Sequence, residues 1–321
     1  MNNFKTMRLF AMSVLCIGSV HAQIITTSSF KVVPLGVKGG SDESNLSSYM
    51  LAAAGSNEYI CLDAGTIHYG IQKAISTGIF KGTVLSVLKN NIKGYLISHP
   101  HLDHVAGLII NSPDDTSKNI YALPFCIDVL KEKYFSWKSW ANFADDGEKP
   151  MLNKYHYKIL VPGEETTIEN TNLFVTAFYL SHSNPYKSTA FLVRQSDAYM
   201  LYLGDTGADT TEHADNLQQL WQHIAPLIKE KKLKVMFIET SFNNEQPNKL
   251  LFGHLTPRLL MQEMDALAQL TGPTALAGFP IVITHEKPGG NREALIKKQL
   301  LLSNEHHLKL IFPIQGKMLS F

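Results

Sequence analysis

Cysteine is scarce in this chain, with Cys16, Cys61 and Cys126 the only three among 321 residues. So few exclude a disulfide-built scaffold, and neither Cys61 nor Cys126 stands near the histidines described below, which leaves a thiolate zinc site without support. Their number would allow one disulfide, but Cys61 sits inside the apolar run Tyr59-Ile60-Cys61-Leu62, and both are expected as free thiols. An excess of one charge sign is also missing: 29 Lys and Arg face 28 Asp and Glu, a formal net charge of +1. The short basic run Lys229-Glu230-Lys231-Lys232 is interrupted by an acid and reads as a solvated helix end, so no polynucleotide groove is expected. Long hydrophobic runs are lacking too. The run Leu9 to Val20 falls short of the ~20 residues a bilayer span needs, and nothing longer follows it.

That first run has another reading. Lys5 and Arg8 precede it, and Val20-His21-Ala22 follows with small residues where a signal peptidase cuts, so a secretory signal over residues 1–22 is expected. Cys16 follows Leu15, not a small residue, which argues against a lipoprotein site. The expected destination is the periplasm or the medium, with no membrane attachment after cleavage. No linker, repeat or low-complexity tract divides residues 23–321, which are read as a single catalytic domain with enough apolar content to bury a large core. The oligomeric state is open, a homodimer included.

Histidine is what the chain concentrates. Ser98-His99-Pro100-His101-Leu102-Asp103-His104 directly follows the strand-like run Tyr95-Leu96-Ile97. No folding requirement calls for so many imidazoles at one strand end, whereas imidazole and carboxylate are the ligands zinc and its neighbours prefer. His99 and His101, two apart on an extended backbone, can face one ion. Asp103 and His104 lie where a helical pattern begins and can face a second. Two ions need more donors, and later strand ends offer them: His182 after Leu173 to Leu180, Asp205 after Ala198 to Gly204, His285 after Ile281 to Thr284.

The spacing predicts strands at about 30–36, 48–54 and 58–63, helices near 68–76 and 83–89, and the strand before His99. Helices are then expected over 120–135 and 137–145. Further strands are expected near 157–161, 172–180, 188–194 and 198–203, a helix over 213–229, and a strand at 233–239. A helix over 257–270, a strand at 280–284, a helix over 292–302 and strands near 308–312 and 316–320 complete the pattern. Thr256 reads as an N-cap and Pro257 as the first helical residue. Such an α/β (α+β) mixture suits two packed sheets with helices outside. The aromatic segment Phe135 to Phe143 could supply flat surfaces for a purine or could pack into the core. Gly39-Gly40-Ser41-Asp42-Glu43-Ser44-Asn45 could be a loop that approaches the substrate or an ordinary connection.

The order His-x-His-x-Asp-His, His, Gly-Asp-Thr, Thr-His resembles the metallo-β-lactamase superfamily. Leu62-Asp63-Ala64-Gly65-Thr66, His99 to Gly107 with Asn111-Ser112-Pro113, Glu239-Thr240-Ser241-Phe242 and Gly253-His254-Leu255-Thr256-Pro257 are similar to the class II 3′,5′-cyclic-nucleotide phosphodiesterases within it. The resemblance implies a metallo-β-lactamase-like αββα sandwich with two mixed sheets. It implies two divalent metal ions, zinc foremost, with manganese or iron as alternatives. His99, His101 and His182 would hold one, Asp103, His104 and His285 the other, and Asp205 would bridge them. A hydroxide shared by the ions would attack a small cyclic nucleotide, cyclic AMP or also cyclic GMP, and yield the 5′-monophosphate. Asp103 would orient that nucleophile, and His254, its ring oriented by Glu239, would protonate the leaving 3′-oxygen. A lactonase or β-lactam hydrolase on the same platform is the alternative, and a non-enzymatic binding protein that kept the fold is a third reading.

Overall fold

The computed structural model describes Met1 and residues 28–321; the expected leader, Met1 apart, lies outside the described residues. The first half of the chain runs β1 (Phe30–Gly36), β2 (Ser48–Ala53), β3 (Tyr59–Leu62), α1 (His68–Ser76), α2 (Val84–Asn90), β4 (Ile92–Leu96), α3 (Leu102–Asn111), β5 (Lys118–Ala122), α4 (Pro124–Val129) and β6 (Tyr155–Ile159). The second half runs β7 (Glu165–Ile168), β8 (Leu173–Ser181), β9 (Lys187–Gln195), β10 (Ala198–Leu203), α5 (Asp209–Glu212), α6 (Asn216–Lys229), β11 (Leu233–Glu239), α7 (Pro257–Thr271), β12 (Pro280–Thr284), α8 (Arg292–Leu302), β13 (Lys309–Ile311) and β14 (Leu319–Ser320).

The strands form two seven-stranded sheets, ordered β14-β1-β2-β3-β4-β5-β6 and β13-β12-β11-β10-β9-β8-β7. Both follow one plan. From β14 to β3 and from β7 to β10 the ladders are antiparallel; from β3 to β6 and from β10 to β13 they are parallel. The change of ladder falls at β3 in one sheet and at β10 in the other, and the residues just beyond these two strands carry carboxylates in the site described below.

Alternation within each strand builds the layers. Met200 and Tyr202 of β10 pack between the sheets with Val235 and Phe237 of β11, while Leu201 and Leu203 face the helices with Met236 and Ile238. Both faces are covered, so these strands read as continuous apolar runs, as strands with helices on one side and a sheet on the other must. Helix α6 supplies its cover through Leu217, Leu220, Trp221, Ile224 and Ile228, a stripe at helical spacing. A separate core of Ile71, Val87, Val105 and Leu108 sits between the first sheet and α1 to α3. The expected αββα arrangement is therefore present. Among the described residues no helix is long and apolar enough to cross a membrane.

Two expectations fail. Residues 118–122 are a strand and not the start of a helix, because β5 lies between β4 and β6 with Ile120, Tyr121 and Ala122 buried; a short apolar run carries no period that separates the two states. Helical structure starts only at Pro124, which occupies the first turn of α4, and widens into a π-turn over Leu130–Tyr134. Residues 137–145 form no helix. Trp137 has φ 60°, and Asn142, fully buried, donates its side-chain amide to the carbonyls of Asp146 (3.1 Å) and Glu148 (2.8 Å), which holds an irregular loop together in place of helical bonds. Cys61 and Cys126 are free, as expected, and both are buried, which pushes their thiols up and away from the reactive thiolate form.

Candidate metal centre

Strand ends bring the site together. β4 leads to His99, α3 begins between His101 and His104, β8 leads to His182, β10 leads to Asp205, β11 ends in Glu239 and β12 leads to His285. All lie at the C-terminal ends of their strands, where parallel ladders leave a crevice. Asp205 occupies the middle. Its Oδ1 is 3.3 Å from His104 Nε2, and its Oδ2 is 3.3 Å from His285 Nε2, 3.7 Å from His99 Nε2 and 3.8 Å from His182 Nε2. His99, His101 and His182 form one tight group of donors, and Asp103, His104 and His285 another. The structure thus gathers the seven expected donors into neighbouring groups.

The far side of each ring is as telling. Asp63, fully buried and in a left-handed conformation (φ 53°), accepts from Ser98 N (2.7 Å), Ser98 Oγ (2.8 Å), Tyr202 OH (2.7 Å) and His104 Nδ1 (2.7 Å). Because the Ser98 hydroxyl gives its proton to Asp63, its oxygen accepts from His99 Nδ1 at 3.0 Å. Ser241 repeats the device, donating to Glu239 (2.7 Å) and accepting from His285 Nδ1 (2.9 Å). His182 Nδ1 donates to the Gly253 carbonyl at 2.8 Å. Gly253 has φ 74°, and a side chain there would strike His182 and Ser183, so glycine is required. Four imidazoles thus engage Nδ1 in a hydrogen bond and aim Nε2 inward, the arrangement that metal-binding histidines need. The Nε2 atoms of His99 and His104 are buried with no hydrogen-bond partner, a costly state unless a cation accepts their lone pairs.

Electrostatics agree. Burial favours the neutral form of Asp205, but His285, His104 and His254 outweigh it and hold its carboxyl well below the usual range. Burial likewise opposes ionised Asp103, and His104 and His285 reverse the balance. For His104, burial is overcome by Asp205, Asp63 and Asp103, which raise it well above the ordinary value. His182 is lowered to about 4 and His99 is held well below the ordinary imidazole value, both mainly through burial. Carboxylate charge surrounded by imidazole nitrogen suits divalent cations of zinc's class, so the donor set fits the implied metals.

His254 also enters the cluster. Its Nδ1 is 2.7 Å from Glu239 Oε1 and 3.8 Å from Asp205 Oδ2, and its ring stacks on His285 at 5.2 Å. Glu239, completely buried, also accepts from the backbone of Thr206, Ser241 and Leu255. Thr256 caps α7 by accepting from Leu259 N at 3.4 Å, and Pro257 opens the helix, as read from the sequence. The glycine loop is no ordinary connection. Gly40 N donates to Asp103 Oδ2 at 2.8 Å, and Gly39 lies against the His285 ring. A Cβ at Gly39 would overlap that ring, which is already fixed by Ser241 and flanked by His104 and His254. Gly39→Ala is expected to weaken metal binding by about 10–100-fold, as displacing a ligand's support does. Metal retained at wild-type affinity on titration with a competing chelator would remove that role.

The sequence reading gave no role to Asp63, Ser98, Ser241 or Tyr202. Only Asp63 carried a usable signal: an acidic residue closing an apolar strand, the pattern that singled out Asp205.

The model of the class-II cAMP phosphodiesterase family matches residues 80–307. A 3′,5′-cyclic-nucleotide phosphodiesterase of Aliivibrio fischeri is 38% identical over 333 aligned positions, which cover 99% of this chain and 100% of that protein. Among solved structures, unliganded yeast PDE1 superposes with a TM-score of 0.82 at 23% identity, covering 92% of this chain and 100% of that one. The metallo-β-lactamase fold protein YhfI from Bacillus subtilis superposes with a TM-score of 0.60 at 15% identity, covering 91% and 99%.

Proposed function

Because the chain belongs to the class-II cAMP phosphodiesterases and, with them, is a 3′,5′-cyclic-nucleotide phosphodiesterase of metallo-β-lactamase fold, we propose that it works with two divalent cations and releases 5′-monophosphates. His99, His101 and His182 would hold one cation, Asp103, His104 and His285 the other, with Asp205 shared. A cation pair of this kind supplies Lewis-acid neutralisation of a phosphoryl oxygen and lowers the pKa of water toward ~7. Zinc is the first choice for a set so rich in imidazole, with manganese or iron as alternatives.

The chain's own side chains do the rest. Asp103, fixed by Gly40 N, accepts the proton of the attacking water, which enters opposite the 3′-oxygen. As that P–O bond breaks, the 3′-oxygen takes its electron pair and receives a proton from His254. Glu239 turns the His254 ring and balances its charge when both nitrogens carry protons. His101, the most exposed of the cluster, lies on the solvent side where substrate arrives. The single observation that carries this reading is the pair of orphaned Nε2 atoms beside Asp205. Export belongs to the same proposal: Lys5, Arg8, the run to Val20 and Ala22 support removal of a leader, so the protein would act in periplasm or medium with Gln23 as its first residue.

One experiment addresses the chemistry. Exported protein incubated with cyclic AMP and cyclic GMP should give 5′-monophosphates, lose all activity in a chelator, regain it with zinc or manganese, and contain close to two metal ions per chain. Turnover that survives complete metal removal, or 3′-monophosphate as product, refutes the mechanism.

A further inference from the structure

The position of the nucleoside is a separate question from that of the phosphate. The aromatic segment after residue 135 does not supply the answer. Phe135 is fully buried in the core of the first sheet, and the ring nitrogens of Trp137 and Trp140 are engaged by Pro150 O (2.8 Å) and Ser112 Oγ (3.0 Å). A different surface borders the metal donors: a cavity of about 490 Å³ with His99 and His101 forming one wall. Its other walls are Phe125, Val129, Tyr134, Pro185, Tyr186 and Lys187.

We propose that this cavity is the base subsite of the enzyme, taking the purine of the cyclic nucleotide against the rings of Phe125, Tyr134 and Tyr186 while the cyclic phosphate lies at His99 and His101. The inference rests on the metal-centre reading above, which puts the phosphate at those histidines. The cavity's size falls within the range that holds a nucleotide-sized ligand, and its lining is mostly aromatic and apolar. Every purine has a π-face, so stacking of this kind accepts adenine and guanine alike.

The walls are tied to the ligands themselves. The Tyr134 hydroxyl donates to the carbonyl of Pro100, the residue between His99 and His101, at 2.9 Å. The carbonyl of Tyr186 accepts from the backbone N–H of His182 at 3.2 Å, so the loop from β8 to β9 is closed at its metal-side end. The Glu212 carboxylate secures that loop's root through Asn184 N (2.8 Å) and Ser181 Oγ (3.0 Å). A base seated between Tyr134 and Tyr186 therefore stands at a fixed distance from the phosphate position. Tyr186 is 71% exposed, so its ring is free to cover a bound base, and replacing it leaves the core untouched.

The test compares Tyr186→Ala and Tyr186→Phe with wild type. For cyclic AMP, KM should rise about tenfold in Tyr186→Ala and return in Tyr186→Phe, a shift expected for the loss of one stacking face. The inhibition constant of adenosine 5′-monophosphate should rise in parallel, while that of ribose 5-phosphate, which has no base, should not move. An unchanged KM in both Tyr186→Ala and Tyr186→Ala/Phe125→Leu overturns the subsite, as does an equal rise for ribose 5-phosphate. Failure of the underlying metal reading looks different: wild-type turnover would then resist the chelator, whatever the variants do.

Discussion

Asp205→Ala is expected to empty the metal centre and lower kcat on cyclic AMP by more than about 100-fold, since removing even an outer partner of a ligand costs 10–100-fold. The geometry behind this is concentrated in one side chain. His99, His104, His182, His254 and His285 all place a ring nitrogen between 3.3 and 3.8 Å from the Asp205 carboxylate. Without that charge, the group of His99, His101 and His182 has no carboxylate to balance its cation, and Asp103 is the one carboxylate left among the expected ligands to face the other at low dielectric. Metal per chain by elemental analysis and turnover by product chromatography should fall together. Wild-type values of both would remove Asp205 from the centre.

His254→Ala is the second large effect, and its direction is more discriminating. As the donor to the 3′-oxygen, His254 should contribute about 10²–10⁴ in kcat on cyclic AMP, the usual range for general acid catalysis. The loss should shrink with bis(p-nitrophenyl) phosphate, because nitrophenolate departs without a proton. Metal content should stay at its wild-type value. The structure makes this outcome a real test, for His254 belongs to a donor group with Asp205, Glu239 and His285. A variant that loses metal, or that slows equally on both substrates, assigns His254 to the metal shell in place of the proton donor.

The fold was legible where strands are long and doubly buried. The runs at 198–203, 233–239 and 280–284 are apolar on both faces, and the observed strands match them within a residue. Legibility failed around residue 120, where β5 is five residues long. It failed again at 137–145, where aromatic residues at helical spacing are held instead by the buried Asn142 amide. Side-chain capture of a loop by one asparagine leaves no period in the sequence.

The site divides along the same line. His99, His101, Asp103 and His104 could be recognised because one loop concentrates them. His182, Asp205 and His285 each stand out as a polar residue at the end of an apolar run. The sequence by itself therefore determined the donor types, their order and the chemistry they suit, since these depend on residue identity and local spacing. Only the tertiary structure decided which nitrogen of each ring faces inward. That choice is made by Asp63, Ser98, Ser241 and the Gly253 carbonyl, which lie up to 71 residues from the histidines they hold. Apart from the Ser98–His99 contact between neighbours, these hydrogen bonds exist only after folding has brought distant strand ends into one crevice. The aromatic walls beside His99 and His101 were hidden for the same reason, because a cavity is a property of the spaces between elements.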